Sequence, residues 1–137
     1  MTVLNSKVEY ALAAVLDLAR NYDPGTTVKA QEIAERTGAP EKYLGQILRE
    51  LKKNALVKSE QGPGGGYRLM RRPELISVAE VMAAVATESD GRRKRSLPSS
   101  EYAEALHWLS GELEEVRRQL LVGINLKDFL RQVKRTR

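Results

Sequence analysis

Two hydrophobic periods alternate along the chain, and each change of period marks an element. Val8, Ala11, Leu12, Val15, Leu16 and Ala19 recur at three- and four-residue spacing and line one face of a helix predicted over Ser6–Asn21. Ser6 with Glu9 three residues on reads as a capping box, and Asp23-Pro24-Gly25 closes the helix in a turn. A second helix is predicted over Ala30–Thr37, with Ile33 and Ala34 inward and Gly38 as a left-handed cap. A third covers Pro40–Asn54, where Pro40 suits the first helical position because its missing N–H costs nothing there. Tyr43, Leu44, Ile47, Leu48 and Leu51 make its apolar face, while Lys42, Gln46, Arg49 and Lys53 fall mostly on other faces and stay wet.

The period then shortens. Leu56–Glu60 and Tyr67–Leu69 can run as strands, and Thr26–Lys29 is expected to be a short strand pairing with them. Between the two lies Gln61-Gly62-Pro63-Gly64-Gly65-Gly66, too rich in glycine for an element interior and therefore a hairpin tip. Ser77 and Glu80 form another capping box, with Ile76 and Val81 as a hydrophobic staple, for a helix running to about Ala86. From Thr87 to Ser99 the composition turns to Ser, Asp, Gly, Arg, Lys and Pro around Arg92-Arg93-Lys94-Arg95, which reads as a loop or tether.

Beyond it Tyr102, Leu106, Leu109, Leu113, Val116 and Leu120 are spaced four, three, four, three, four. This seam predicts a helix over Ser100–Leu121, ~33 Å long and longer than a small core needs. Its stripe is expected to pack on a copy of itself or on Ser6–Asn21 of a partner chain. Asn125 is placed to cap a last short helix, Leu126–Val133, before a basic tail. The expected architecture is mainly α with a small β-hairpin: a domain over 1–86, a basic loop over 87–99, and a dimerisation helix with a short C-terminal helix over 100–137.

Composition narrows the chemistry. At 137 residues the chain is one domain, or one domain with an oligomerisation arm, and its 42% apolar content supports a modest core. No apolar run approaches the ~18 residues of a membrane span, and the N-terminus has no secretory pattern, so a cytoplasmic location is expected. There is no cysteine, which excludes disulfides, thiolate metal sites and a thiol nucleophile together. A single histidine and scattered carboxylates leave no catalytic constellation, so no enzymatic activity and no metal site or cofactor is expected. The net charge of +5 favours a polyanionic partner.

The order helix, glycine turn, helix, then a glycine-tipped hairpin is the layout of a winged helix-turn-helix. In that layout the helix Pro40–Asn54 enters the major groove of double-stranded DNA and the hairpin tip reaches the neighbouring backbone or minor groove. The candidate DNA-facing residues are Lys7, Lys42, Tyr43, Gln46, Arg49, Lys52, Lys53 and Arg68, with Gln61, Gly62, Pro63, Gly64, Gly65 and Gly66 in the wing. Residues 1–73 hold twelve Lys or Arg against eight Asp or Glu, a net of +4 for this module. Gly62–Gly66 lacks the Gly-Lys-Ser/Thr of a nucleotide loop.

Glu9-Tyr10-Ala11-Leu12, Glu32-Ile33-Ala34, Tyr43-Leu44 with Gln46, Leu56-Val57-Lys58-Ser59 and Gly62-Pro63-Gly64-Gly65-Gly66-Tyr67 resemble the Rrf-two type family of bacterial transcriptional regulators. The resemblance is close from Val3 to Ala86 and looser, by layout, over the helices that follow. It implies a homodimer on a palindromic operator, acting as a repressor, with the long helices crossing to form the dimer. Many members of that family hold an iron–sulfur cluster through three cysteines in the loop before the long helix. The matching segment, Thr87–Ser99, has none. Glu9 matches a carboxylate ligand of a few members, Ala105 stands where some carry histidine, and Trp108 matches an aromatic beside it. The resemblance is therefore to a cysteine-free branch, with control by a partner protein or a small molecule in place of a cluster as one alternative reading. Gln61 stands where members often carry arginine, and Asn54-Ala55 where many have glycine, with Asn54 expected to take the left-handed cap. The rival reading is a winged helix that has lost DNA binding and serves protein interaction; Gln61 is the feature that favours it.

Overall fold

Helix α1, Ser6–Arg20, is the element against which the helices Ala30–Thr37, Glu41–Lys53, Val78–Ala84 and Leu126–Leu130 all pack. The computed structural model describes residues 4–86 and 101–133, so the predicted basic loop with Arg92–Arg95 and the basic tail lie outside the described residues. The predicted stripe of α1 is buried at Val8, Ala11, Leu12, Val15 and Ala19, Leu16 is only half-buried at its edge, and Ala14 and Leu18 widen it. The predicted Ser6–Glu9 capping box is replaced by a cap one residue earlier. Asn5 carbonyl accepts the Glu9 N–H at 3.0 Å, which makes Asn5 the half-in residue, and its side chain accepts the Val8 N–H at 2.9 Å.

Helix α2, Ala30–Thr37, ends at Gly38, whose φ of 77° is the predicted left-handed cap. Helix α3, Glu41–Lys53, buries Leu44, Ile47, Leu48 and Leu51. Pro40 is its N-cap and not its first helical residue: its backbone is extended at ψ 131° while its carbonyl already accepts from Leu44 at 2.9 Å. At the other end the left-handed residue is Ala55, φ 58°, and not Asn54, whose φ is −97°. Leu56 N–H reaches Leu51 carbonyl at 3.0 Å and Ala55 N–H reaches Lys52 carbonyl at 3.0 Å, the paired bonds of a Schellman motif. The motif places its positive φ one residue past the cap, so alanine sits where glycine costs least.

Strands β1, Val57–Glu60, and β2, Gly66–Leu69, form the antiparallel hairpin, with Lys58 opposite Arg68 and Ser59 opposite Tyr67. The strand predicted at Thr26–Lys29 shrinks to one bridge, Val28 with Tyr67, through two 2.8 Å backbone bonds. A turn closing at Thr26 and the start of α2 at Ala30 leave no room for more. After a 3-10 turn at Pro73–Leu75, α4 covers Val78–Ala84, two residues shorter than predicted, and carries the predicted Ser77–Glu80 capping box.

Helix α5, Ala103–Val122, buries none of its residues. The chain then returns: Val78 N–H bonds Ile124 carbonyl at 2.8 Å and Leu126 N–H bonds Ile76 carbonyl at 2.9 Å. These bonds seat α6, Leu126–Leu130, on α1 with Leu126 fully buried. Asn125 caps it as predicted, accepting the Asp128 N–H at 2.8 Å. The predicted extension to Val133 tightens into three-residue turns at Gln132 and Val133. No helix among the described residues is long and apolar enough to cross a membrane.

Candidate nucleic-acid interface

The burial of Leu44, Ile47, Leu48 and Leu51 fixes the rotation of α3 and so decides which side chains face outward. At 100° per residue, Lys42, Gln46, Arg49 and Lys53 lie within ~60° of one another on the opposite side. All four are exposed, and Lys52 is exposed beside them. Lys42, Arg49, Lys52 and Lys53 enter no ion pair among the described residues. The outward face of α3 is thus a row of unneutralised cations with one amide, Gln46, among them. Gly45 sits on the same outer half, where an added Cβ would meet nothing within 4 Å.

The wing is held in shape by its glycines and by one hydroxyl. Gly65 N–H closes the tip on Gly62 carbonyl at 2.9 Å, and Thr27 hydroxyl donates to Gly64 carbonyl at 2.8 Å. A Cβ at Gly65 would collide with the Glu60 carbonyl, and one at Gly66 would lie 2.6 Å from the Val28 carbonyl. Those two positions require glycine because backbone approaches backbone there. Gln61, Gly62, Pro63 and Gly64 are exposed at the tip.

Three of the sequence-predicted residues are placed differently from the rest. Lys7 Nζ is 2.9 Å from Glu50 Oε1 with only 12% of its side chain exposed, so its charge is spent inside the protein. Arg68 pairs with Glu60 at 3.0 Å along the hairpin. Tyr43 is half-buried, its ring edge-on to Tyr10 at 5.8 Å between centroids. Lys58, absent from the sequence-based set, is exposed on β1 opposite Arg68 and in no ion pair among the described residues. Strand alternation was the signal for it, since Lys58 and Glu60 share a face of β1. Behind the interface, Arg36 holds Asp17 through both carboxylate oxygens, at 2.8 and 3.0 Å. This ties α2 to α1, and donating to the Asp17 carboxylate raises the Arg36 pKa above its ordinary value.

The seam of α5 is the second exposed feature. Tyr102, Leu106, Leu109, Leu113, Val116 and Leu120 each leave between 47% and 66% of their surface in solvent. Trp108, off the seam, is 65% exposed.

The Rrf2 family, described as an iron-dependent transcriptional regulator, matches residues 4–132 of this chain. The chain is a member of the Rrf2 family. It is 39% identical over 130 residues to the HTH-type transcriptional regulator ORF2 of Azotobacter vinelandii, covering 93% of this chain and 78% of that protein. Against IscR of Escherichia coli it is 44% identical over 90 residues, spanning 66% of this chain and 55% of that protein. The structure of IscR from T. potens superposes with a TM-score of 0.76 at 28% identity, over 98% of this chain and 94% of that one. CymR, described as the global cysteine regulator of B. subtilis, gives 0.78 at 25% identity, over 98% and 100%. As an Rrf2 protein the chain is a winged-helix transcriptional regulator and not an enzyme.

The family description invokes iron, and the donor set of this member does not fit an iron–sulfur cluster. Such clusters are held by cysteine thiolates, and this chain has no cysteine at all. Among the described residues no three His, Cys, Asp or Glu side chains gather around one point. Glu9 is exposed on the first turn of α1 and belongs to no such group among the described residues.

Proposed function

We propose that this Rrf2 protein is a homodimeric, sequence-specific repressor that binds a palindromic operator without an iron–sulfur cluster. The observation that carries the reading is the outward face of α3: Lys42, Gln46, Arg49 and Lys53 exposed together, the cations unneutralised, beside a wing fastened by Thr27. Lysine and arginine in such a row suit successive phosphates, and an amide among them suits the N6/N7 edge of adenine. Lys52 and Lys58 extend the phosphate surface to either side, and Gln61 at the wing tip reaches the adjoining groove. The uncovered α5 seam supports a two-fold partner, and a two-fold dimer calls for a palindrome. Because no thiolate can hold a cluster, control passes to a partner protein or a small molecule, and the expected compartment is the cytoplasm.

Selection of duplexes from a random-sequence pool by the purified protein tests this reading. The expected result is an enriched inverted repeat whose half-sites are centred about one helical turn, ~34 Å, or a multiple of it apart. A pool that stays random through successive rounds overturns it.

A further inference from the structure

The Lys7–Glu50 pair has no place in a phosphate-binding surface, yet Lys7 is the least exposed of the ion-paired cations among the described residues. Lys7 lies in the first turn of α1 and Glu50 in the last turn but one of α3, 43 residues away in sequence. The Lys7 and Glu50 side chains are only 12% and 30% exposed, and Glu50 Oε2 is buried without a hydrogen-bond partner among the described residues. A half-satisfied buried carboxylate is costly, so burial of apolar surface gives no reason to place it there.

Its position on the helix supplies one. Tyr43 and Glu50 are seven residues apart and share a stripe of α3, about 90° around from the centre of the Lys42–Gln46–Arg49–Lys53 face. Both grip α1: Tyr43 through the ring of Tyr10, edge-on at 5.8 Å, and Glu50 through Lys7 at 2.9 Å. Lys7 and Tyr10 are themselves one turn apart. The apolar contacts of Leu44, Ile47, Leu48 and Leu51 are non-directional and tolerate small rotations of α3. A buried ion pair and an edge-on ring contact, one near each end of the stripe, do not.

We propose that Lys7–Glu50, with Tyr10–Tyr43, is a strap that fixes the rotation of α3, making Lys7 and Glu50 positioning residues for base readout. The proposal rests on the DNA-binding reading above. The strap sets where Gln46 meets a base edge and contributes little to phosphate binding, because neither of its charges faces outward. Releasing it costs discrimination between operators while leaving non-specific affinity in place.

The test uses full-length Glu50→Gln, Lys7→Met, Lys7→Arg and the exchange Lys7→Glu/Glu50→Lys. Each is titrated against the selected operator, its single-base variants and a scrambled duplex at several salt concentrations, after its active fraction is measured by stoichiometric titration. Glu50→Gln and Lys7→Met should lower the preference for operator over scrambled DNA about tenfold, within the range set by one misaligned base contact. Both should leave the slope of log affinity against log salt on scrambled DNA unchanged, and Lys7→Arg and the exchange should restore most of the preference. If Lys7 instead touches a phosphate, Lys7→Met alone lowers that slope by about 1 and Glu50→Gln does not reproduce its effect; that outcome overturns the proposal. Unchanged preference in both variants overturns it as well. A parent protein that selects no operator overturns the DNA-binding reading itself, and the strap with it, and is told apart by the parent alone.

Discussion

Leu113→Ala removes a side chain from the middle of the α5 seam, where 63% of its surface is uncovered. Full burial of a leucine stabilises by about 1.5–3 kcal/mol. Covering the exposed part of Leu113 in a partner is therefore worth ~1–2 kcal/mol per protomer. A two-fold interface contains the residue twice, which makes ~2–4 kcal/mol per dimer. That corresponds to a dimer dissociation constant raised about 30- to 700-fold. Alanine is the better helix former, so α5 itself survives the change and the effect belongs to the interface. Sedimentation velocity over a wide concentration range reads the constant directly. His107→Ala, an exposed change off the seam, should sediment as the parent does. Equal dissociation constants for the parent, Leu113→Ala and Leu109→Ala would refute the reasoning, as would a parent that stays monomeric at every concentration.

Ala55→Gly should stabilise the fold by about 0.5–1 kcal/mol, because it relieves a left-handed alanine at φ 58° in an exposed position; thermal denaturation showing a loss would contradict the Schellman assignment. Glu80 opposes its own burial with the Ser77 backbone N–H and the Arg71 guanidinium 2.7 Å away, and their sum holds its pKa below the ordinary 4.5. Its folded pKa is depressed, so the stability it contributes is present above the ordinary value and is lost as pH falls through the folded value. Glu80→Gln should therefore lose stability at neutral pH and converge with the parent in acid, and parallel pH curves would sink this. Protein purified and then incubated with iron and sulfide should stay colourless and keep its DNA affinity under oxidants and reductants; a stoichiometric iron content with a charge-transfer band would reverse the cluster-free reading and make Glu9 the first ligand to replace.

The fold was legible where one local signal decided each element. Periodicity located α1, α3 and α5, the glycines located Gly38 and the wing, and Ser77 with Glu80 located the start of α4. Boundaries slipped where adjacent residues competed for one role. Asn5 and Ser6 can both cap, and Asn54 and Ala55 both border the left-handed site, so only the backbone hydrogen bonds choose between them. The wet face of α3 was legible for the same reason as its core, since one period sets both. What stayed hidden was pairing across the chain. Lys7 with Glu50, Asp17 with Arg36 and Arg68 with Glu60 depend on how elements meet in space. A formal count of cations therefore overstated the free charge at the proposed interface, and the helix-centred candidate set passed over Lys58.

If α3 separates base readout from phosphate binding, Gln46→Ala alters the one without the other. Binding isotherms on the selected operator and all its single-base variants, at two salt concentrations, give both quantities at once. The expected result is a loss of ~1–3 kcal/mol and a relaxed preference at one base pair per half-site, with the salt slope unchanged. Lys42→Ala, Arg49→Ala and Lys53→Ala should do the reverse, weakening every sequence alike and each lowering the slope by about 1. Gln46→Ala that weakens all operator variants equally, or none of them, would contradict the account.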